Sequence, residues 1–201
     1  LVSTFYIMKT FLFLIVSILS LSAQSHIGIK GTQYKLIPPR NFQVATLFPG
    51  FEDQLNNCSI VFNEAPVSYY ETDASFEKDL LLNMGVLLIS KEDFQTGTQR
   101  GKFIVVNYMQ PGSGTLFTRQ LILLGDSTKT ISINGFSPDI FKEATEEIKN
   151  ALFTLKYEEG KTENPYESVN FEVDIETDVL RLAKGQSGTL TFTSDGIFPT
   201  Q

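Results

Sequence analysis

Arg100 to Asn134 reads RGKFIVVNYMQPGSGTLFTRQLILLGDSTKTISIN, and this stretch decides the fold. Three apolar runs are separated by two turn signals. Phe103 to Tyr108 is rich in β-branched and aromatic side chains, which fit a pleated, half-buried surface. Pro111-Gly112-Ser113-Gly114 stops that run, because proline lacks the N–H a ladder needs and glycine tolerates positive φ. Leu116 to Leu124 opens with alternation, Phe117, Arg119 and Leu121 against Thr118, Gln120 and Ile122, and closes on the continuous apolar run LILL. Continuous apolar character implies burial on both faces. Gly125 to Lys129 makes the second turn, after which Ile131 and Ile133 alternate with Thr130, Ser132 and Asn134. Loops this short join antiparallel neighbours, whereas parallel strands need longer crossovers. The stretch predicts an antiparallel meander at the centre of an α+β fold.

Working outward, Ser137-Pro138-Asp139 predicts a helix start: a hydroxyl cap, proline in the first turn, and an acid at the positive dipole end. Ile140, Phe141, Ala144, Ile148, Ala151, Leu152 and Leu155 then recur at helical period, with Glu143, Glu146, Glu147 and Lys149 opposite. A helix of that length should cover one face of the sheet. On the N-terminal side, Val86 to Ser90 predicts a strand, and Lys91-Glu92-Asp93 a turn into the meander. SFEKDLLLNMG, residues 75–85, predicts one helix with Phe76, Leu80 and Met84 on its stripe and Gly85 as its stop. Cys58 to Asn63 alternates as a strand with Cys58, Ile60 and Phe62 on one face. Phe51 to Asn57 reads as loop. Phe42, Ala45 and Leu47 suggest a short helix capped by Asn41 and ended by Pro49-Gly50, and Gly28 to Arg40 an extended lead-in closed by Pro38-Pro39.

Beyond Tyr157 the composition shifts. Glu158 to Asp178 holds eight acids against the single Lys161, so the boundary near Gly160 reads as a linker. Val169 to Thr177 alternates Val169, Phe171, Val173 and Ile175 with Asn170, Glu172, Asp174 and Glu176, the pattern of a strand with one dry face. Thr189 to Thr193 predicts another strand, followed by a turn at Asp195-Gly196. The expected organisation is a signal peptide over 1–25, an α+β domain over 26–159, and an acidic linker and β-hairpin extension, or the start of a second domain, over 160–201.

The N-terminus carries the clearest functional signal. Met8-Lys9-Thr10 precedes the apolar run Phe11 to Leu21 and the small residues Ser22-Ala23-Gln24-Ser25, the form of a secretory signal peptide cleaved after Ala23 or Ser25. The run is shorter than the roughly 20 residues a membrane-spanning helix needs. No cysteine sits at the cleavage position, so the expectation is a periplasmic or secreted protein without a lipid anchor. Cys58 is the single cysteine, which leaves no internal disulfide, and a core of this size can stabilise itself.

The chain is acidic, at net −7, and has no cluster of Lys and Arg, which disfavours nucleic acid and anionic lipid as partners. Its aromatics are 17 Phe and 7 Tyr with no Trp, so a phenylalanine-rich core is expected.

The order of elements resembles the Mog1/PsbP-like fold family. The residues carrying the likeness are Pro39 and FQVATLFPGF at 42–51, the Ile60-Val61 strand, and QLILLGDSTKTISINGFSP at 120–138 leading into the amphipathic helix. The resemblance spans roughly residues 33–158. It implies an α/β/α sandwich about an antiparallel sheet, and a non-catalytic accessory or binding domain with no metal or catalytic residue to carry over.

The chemistry agrees with that expectation. The single histidine, His26, lies beside the cleavage site, where a flexible residue could serve no triad or zinc site. Gly185-Gln186-Ser187-Gly188 lacks the spacing of a nucleophile elbow, and Gly112-Ser113-Gly114 leads into a strand rather than the helix a phosphate cradle needs. Glu172, Asp174, Glu176 and Asp178 would share one strand face about 6.8 Å apart. They are weak metal candidates, since Ca²⁺ needs oxygens converging to about 2.6 Å; the charged outer face of an edge strand is the plainer reading. Asn57-Cys58-Ser59 matches a glycosylation sequon by chance, and Cys58 reads as a small buried hydrophobe. No cofactor is expected.

The functional expectation is an exported, non-catalytic domain presenting a surface to a protein partner in the cell envelope. The alternatives are a carrier of a small apolar ligand between the long helix and the sheet, and a carboxylate-dependent hydrolase.

Overall fold

A computed structural model describes residues 25–161, 164–169, 171–173, 179–186 and 189–197. The expected signal peptide lies outside them except for Ser25. A seven-stranded antiparallel sheet forms the frame, in the order β3 (Gln43–Val44), β4 (Gly50–Asp53), β5 (Cys58–Ala65), β9 (Thr130–Pro138), β8 (Leu116–Gly125), β7 (Gln99–Met109) and β6 (Val86–Thr96). The expected meander is β7-β8-β9 at its centre, with Ile104 opposite Leu121 and Ile122 opposite Ile133. As the run LILL requires, β8 is dry on both faces: Ile122 and Leu124 belong to one core, Leu121 and Leu123 to the other.

Helices cover both faces. On one, α3 (Lys142–Phe153) lays Ile148, Ala151 and Leu152 onto Phe51, Ile60, Ile122 and Ile133. On the other, α1 (Tyr69–Ala74) and α2 (Lys78–Asn83) supply two buried side chains, Phe76 from the link between them and Leu81, with Tyr69 half-buried beside them, against Ile104, Val106, Leu121 and Leu123. This is the α/β/α arrangement that the resemblance implies, with one thick cover and one thin. A small sheet of β1 (Ile27–Gly28), β2 (Tyr34–Leu36) and β10 (Lys156–Tyr157) ties the lead-in to the exit of α3. In the tail, β11 (Arg181–Gln186) pairs antiparallel with β12 (Thr189–Thr193).

Several local expectations are corrected. Residues 42–47 form no helix; Gln43 and Val44 pair with Glu52 and Phe51 in a hairpin, so the first part of the expected loop, Phe51 to Asp53, is strand β4, and residues 54–57 turn the chain as expected. The apolar spacing there serves one face of two short strands, and Gly50 at φ 149° puts its α-carbon where a side chain would strike the Ile60 carbonyl. The helix expected over 75–85 covers only Lys78–Asn83, and a separate helix of six residues, Tyr69–Ala74, precedes it. Leu80 and Met84 point outward at 53% and 75% exposure, while Phe76 and Leu81 are buried.

Lys91-Glu92-Asp93 is not a turn. The strand continues to Thr96 and turns at Gly97, where φ is 56°. Those charges belong to an edge strand, where charge deters further pairing, and Asp93 meets Lys102 across the hairpin at 2.6 Å. Ser137 and Pro138 likewise end β9 rather than open a helix: they pair with Thr118 and Phe117. The helix begins at Lys142 without a side-chain cap, and Ser137 instead shares a hydrogen bond with Thr145 at 2.9 Å. Of the expected strand over 169–177, Val169 and residues 171–173 are irregular and the remainder lies outside the described residues.

Asp126 closes the turn between β8 and β9. Its Oδ1 accepts from the Thr128 hydroxyl and N–H, both at 2.7 Å, and from the Lys129 N–H at 3.1 Å. Its carbonyl accepts from the Tyr69 N–H at 2.8 Å, which fixes the start of α1. The Thr128 hydroxyl, followed by the two backbone donors, holds the Asp126 carboxyl below its ordinary value of 3.8. A depressed carboxyl stabilises the fold above its unfolded pKa and loses that contribution as pH falls through the folded value. Asp126→Asn is therefore expected to lower the thermal midpoint at pH 7, and the deficit should fade as calorimetric scans move below pH 3.8.

Candidate functional site

The thin cover leaves space beneath it. Between α2 and the sheet lies a cavity of about 400 Å³, walled by Phe76, Leu81, Val86, Val106 and Phe136 and reaching the exposed Met84. That volume falls within the range of small-molecule sites, about 300–1,000 Å³. A second hollow of about 120 Å³ shares Phe76 and Arg119 with it. The sheet face under α3 is filled, and the hollow of about 250 Å³ near that helix runs along its outer side, between Pro38-Pro39 and Glu147 and Asn150. The ligand space expected between the long helix and the sheet thus lies on the opposite face, under the short helices.

Arg119 is the polar centre of the cavity. It sits on the central strand β8, opposite Val106 on β7 and Phe136 on β9. Its Cζ is 5.8 Å from the Phe76 ring centre and 5.7 Å from that of Phe136, distances at which a ring face attracts a cation. Its Nε and Nη2 both donate to Asn134 Oδ1, at 3.0 and 2.6 Å. Asn134 is buried and held in turn, its Nδ2 donating to Ser132 Oγ at 2.9 Å. Burial pulls the Arg119 pKa down, and Tyr108 beside it pushes the other way; a guanidinium remains charged at neutral pH regardless. The Tyr108 hydroxyl is pushed up from 10.0 by burial, so it stays protonated at neutral pH.

No ion pair to Arg119 occurs among the described residues. Two acids of the neighbouring cover, Asp73 and Glu77, pair with Lys91 at 3.2 and 3.4 Å. The sequence placed Arg119 on one face with Phe117 and Leu121 but gave it no role. The available signal was a lone cation inside an otherwise apolar central run.

The other candidates do not converge on this cavity. Glu172 is exposed in an irregular segment, and Asp174, Glu176 and Asp178 lie outside the described residues. No group of three or more His, Cys, Asp or Glu placed to hold a metal occurs among the described residues. His26 is not the flexible residue expected; its ring Nε2 lies 3.0 Å from the Thr154 carbonyl at the end of α3. Cys58 is buried, and burial, with Asp53 adding to it, pushes its thiol up to about 11. A thiol so raised is a poor nucleophile. Native protein at pH 8 is expected to react with a disulfide reagent at least tenfold more slowly than unfolded protein, as release of the coloured thiolate would report. The cavity lining carries no carboxylate among the described residues, which removes the acid pair a hydrolase would need there.

An antiparallel sheet with a thick helical layer on one face and a ligand-sized hollow under a thin one defines the class of architecture. No family model matches the chain, and no curated protein does. Solved structures similar to it include LpqN of Mycobacterium tuberculosis, a protein involved in cell envelope biogenesis, at 13% identity and TM-score 0.45, covering 68% of this chain and 86% of that one. They also include the cyanobacterial PsbP (CyanoP) of Synechocystis sp. PCC 6803, at 10% identity and TM-score 0.43, covering 69% and 95%. A protein of Bacteroides thetaiotaomicron is similar at 16% identity and TM-score 0.38, covering 67% and 50%.

Proposed function

We propose that this chain is an exported, non-catalytic binding domain of the cell envelope, and that the cavity under α2 takes a small molecule with an apolar body. Export is supported by the sequence pattern from Met8 to Ser25; residues 26–159 form the binding domain and 160–201 an appended extension. The observation that carries the reading is a cavity of about 400 Å³ lined chiefly by Phe, Leu, Val and Met around Arg119. Burial of hydrocarbon against such walls is favourable at about 25 cal/mol per Å². The test is calorimetric titration with straight-chain alcohols of increasing length. Saturable one-to-one binding is expected, and Val106→Trp, which fills the cavity, should abolish it while the far-ultraviolet spectrum is retained. No saturable binding to any of the alcohols would defeat the proposal.

A second reading, a surface for a protein partner, is favoured by a separate observation. Leu80, Leu82, Met84, Leu87 and Ile89 are all at least half exposed within one short stretch of α2 and the edge strand β6. Exposed apolar side chains gathered in this way mark contact surfaces. A photocrosslinker at Leu82 or Ile89 should give the same discrete adduct in exporting cells, and one at the exposed turn residue Leu55 should not. Identical patterns from all three positions would dismiss this reading.

A further inference from the structure

We infer that the cavity under α2 binds the carboxylate of a long-chain, otherwise apolar acid, with Arg119 holding the head and the hydrocarbon running toward Met84. The inference rests on the cavity being the ligand site, and it adds the chemistry of the ligand.

The argument begins with the donors of the guanidinium. Arginine has five N–H groups in a rigid planar fork. One edge of that fork, Nε and Nη2, is engaged by Asn134 Oδ1. Nη1 and the outer hydrogen of Nη2 make no hydrogen bond among the described residues, and they form the end of the fork that matches two carboxylate oxygens. A partly buried cation in apolar surroundings carries a desolvation cost that an opposite charge offsets. The nearby protein carboxylates do not offset it here: Asp73 and Glu77 meet Lys91, and Asp139 meets Lys142. The charge that completes Arg119 therefore comes from a ligand.

The rest of the lining limits what that ligand is. Arg119 is the one cation among the described lining residues, so the head bears a single charge. The Tyr108 hydroxyl, protonated as argued above, lines the same cavity and adds one donor. The Ser75 hydroxyl is already donating to the Thr72 carbonyl at 2.6 Å. A sugar would leave most of its hydroxyls facing Phe76, Leu81, Val86 and Val106, each an unmet hydrogen bond. A hydrocarbon tail meets those same walls favourably.

The test is calorimetric titration of the purified full chain at pH 8 with sodium dodecanoate, 1-dodecanol and inorganic phosphate. Dodecanoate is expected to bind about tenfold to hundredfold more tightly than dodecanol, the effect of hydrogen bonds to a charged partner. Arg119→Met, which keeps the apolar volume, should erase that preference, so that acid and alcohol bind alike. Should that variant not fold, Met84→Glu at the exposed mouth serves instead, and it should weaken dodecanoate severalfold. Equal affinity for acid and alcohol would overturn the carboxylate and leave the cavity reading standing, whereas failure of both to bind would overturn the cavity reading itself. A preference that survives Arg119→Met, or dodecanoate binding indifferent to Met84→Glu, would overturn the placement. Phosphate binding as tightly as dodecanoate would make the site a small-oxoanion receptor and overturn the tail.

Discussion

Gly135→Val should lower the thermal midpoint by about 10 °C, corresponding to about 3 kcal/mol for a chain of this size. Gly135 lies in β9 directly beneath α3, and a β-carbon built there comes 2.2 Å from Ile148 Cγ2 and 3.5 Å from Leu152 Cδ1. Those side chains are 1% and 0% exposed, so they have nowhere to move, and the helix must lift from the sheet to make room. The cost is one of space, since the backbone of Gly135 has no positive φ. The partner can therefore be named. In an Ile148→Ala background, where the obstructing methyl is gone, the added cost of Gly135→Val should fall by at least half. Circular dichroism melts of the four proteins in the cycle check this, and an unchanged cost in the second background would refute the contact.

Asn134→Leu has the other large expected effect. The side chain is 1% exposed, and its Oδ1 is the acceptor for two donors of Arg119. Leucine has nearly the same shape and no acceptor, so the guanidinium keeps its charge and loses its partner. Hydrogen bonds to charged groups contribute about 1.5–3 kcal/mol, and leaving one member unpaired costs its desolvation as well. A loss of about 3 kcal/mol in denaturant-induced unfolding is expected. Removing both partners is a different matter: in an Arg119→Met background the same change should cost less than about 1 kcal/mol, because nothing charged is left unmatched. Equal costs in both backgrounds would mean that Asn134 acts by packing alone.

The centre of the fold was legible because its signals were redundant. In β7, β8 and β9 the side-chain period, the β-branched composition and the turn residues all agree, and Ile122 pairs with Ile133 as the alternation requires. The stripe of α3 was legible for the same reason, although its start was not: Ser137 and Pro138 form a good cap signal, but ladder pairing with Thr118 and Phe117 outweighs it.

Errors gathered where one cue stood alone. Phe42, Ala45 and Leu47 suit a helix by spacing, yet two residues of pairing with β4 decide otherwise. The charges Lys91, Glu92 and Asp93 suit a turn, yet they lie on an edge strand, where Asp93 finds Lys102 and Lys91 finds Asp73 and Glu77. The cavity could not be read in advance, because it comes from what the cover fails to fill. No pattern in SFEKDLLLNMG says that its helix begins only at Lys78 and leaves Leu80 and Met84 facing out. Arg119 was visible as an oddity, but its lack of a carboxylate partner depends on Asp73 and Glu77 turning to Lys91, which only the assembled structure displays.

The strand order bears on the sequence in which the chain can fold. β5 is inserted beside β9, so Ile60 finds Gly135 only after about 75 further residues have appeared, and the core under both strands waits longer still, for Leu152 of α3. A chain that emerges N-terminus first therefore cannot close its main core until Leu152 has appeared, and the last turn of the long helix is what locks the strands beneath it.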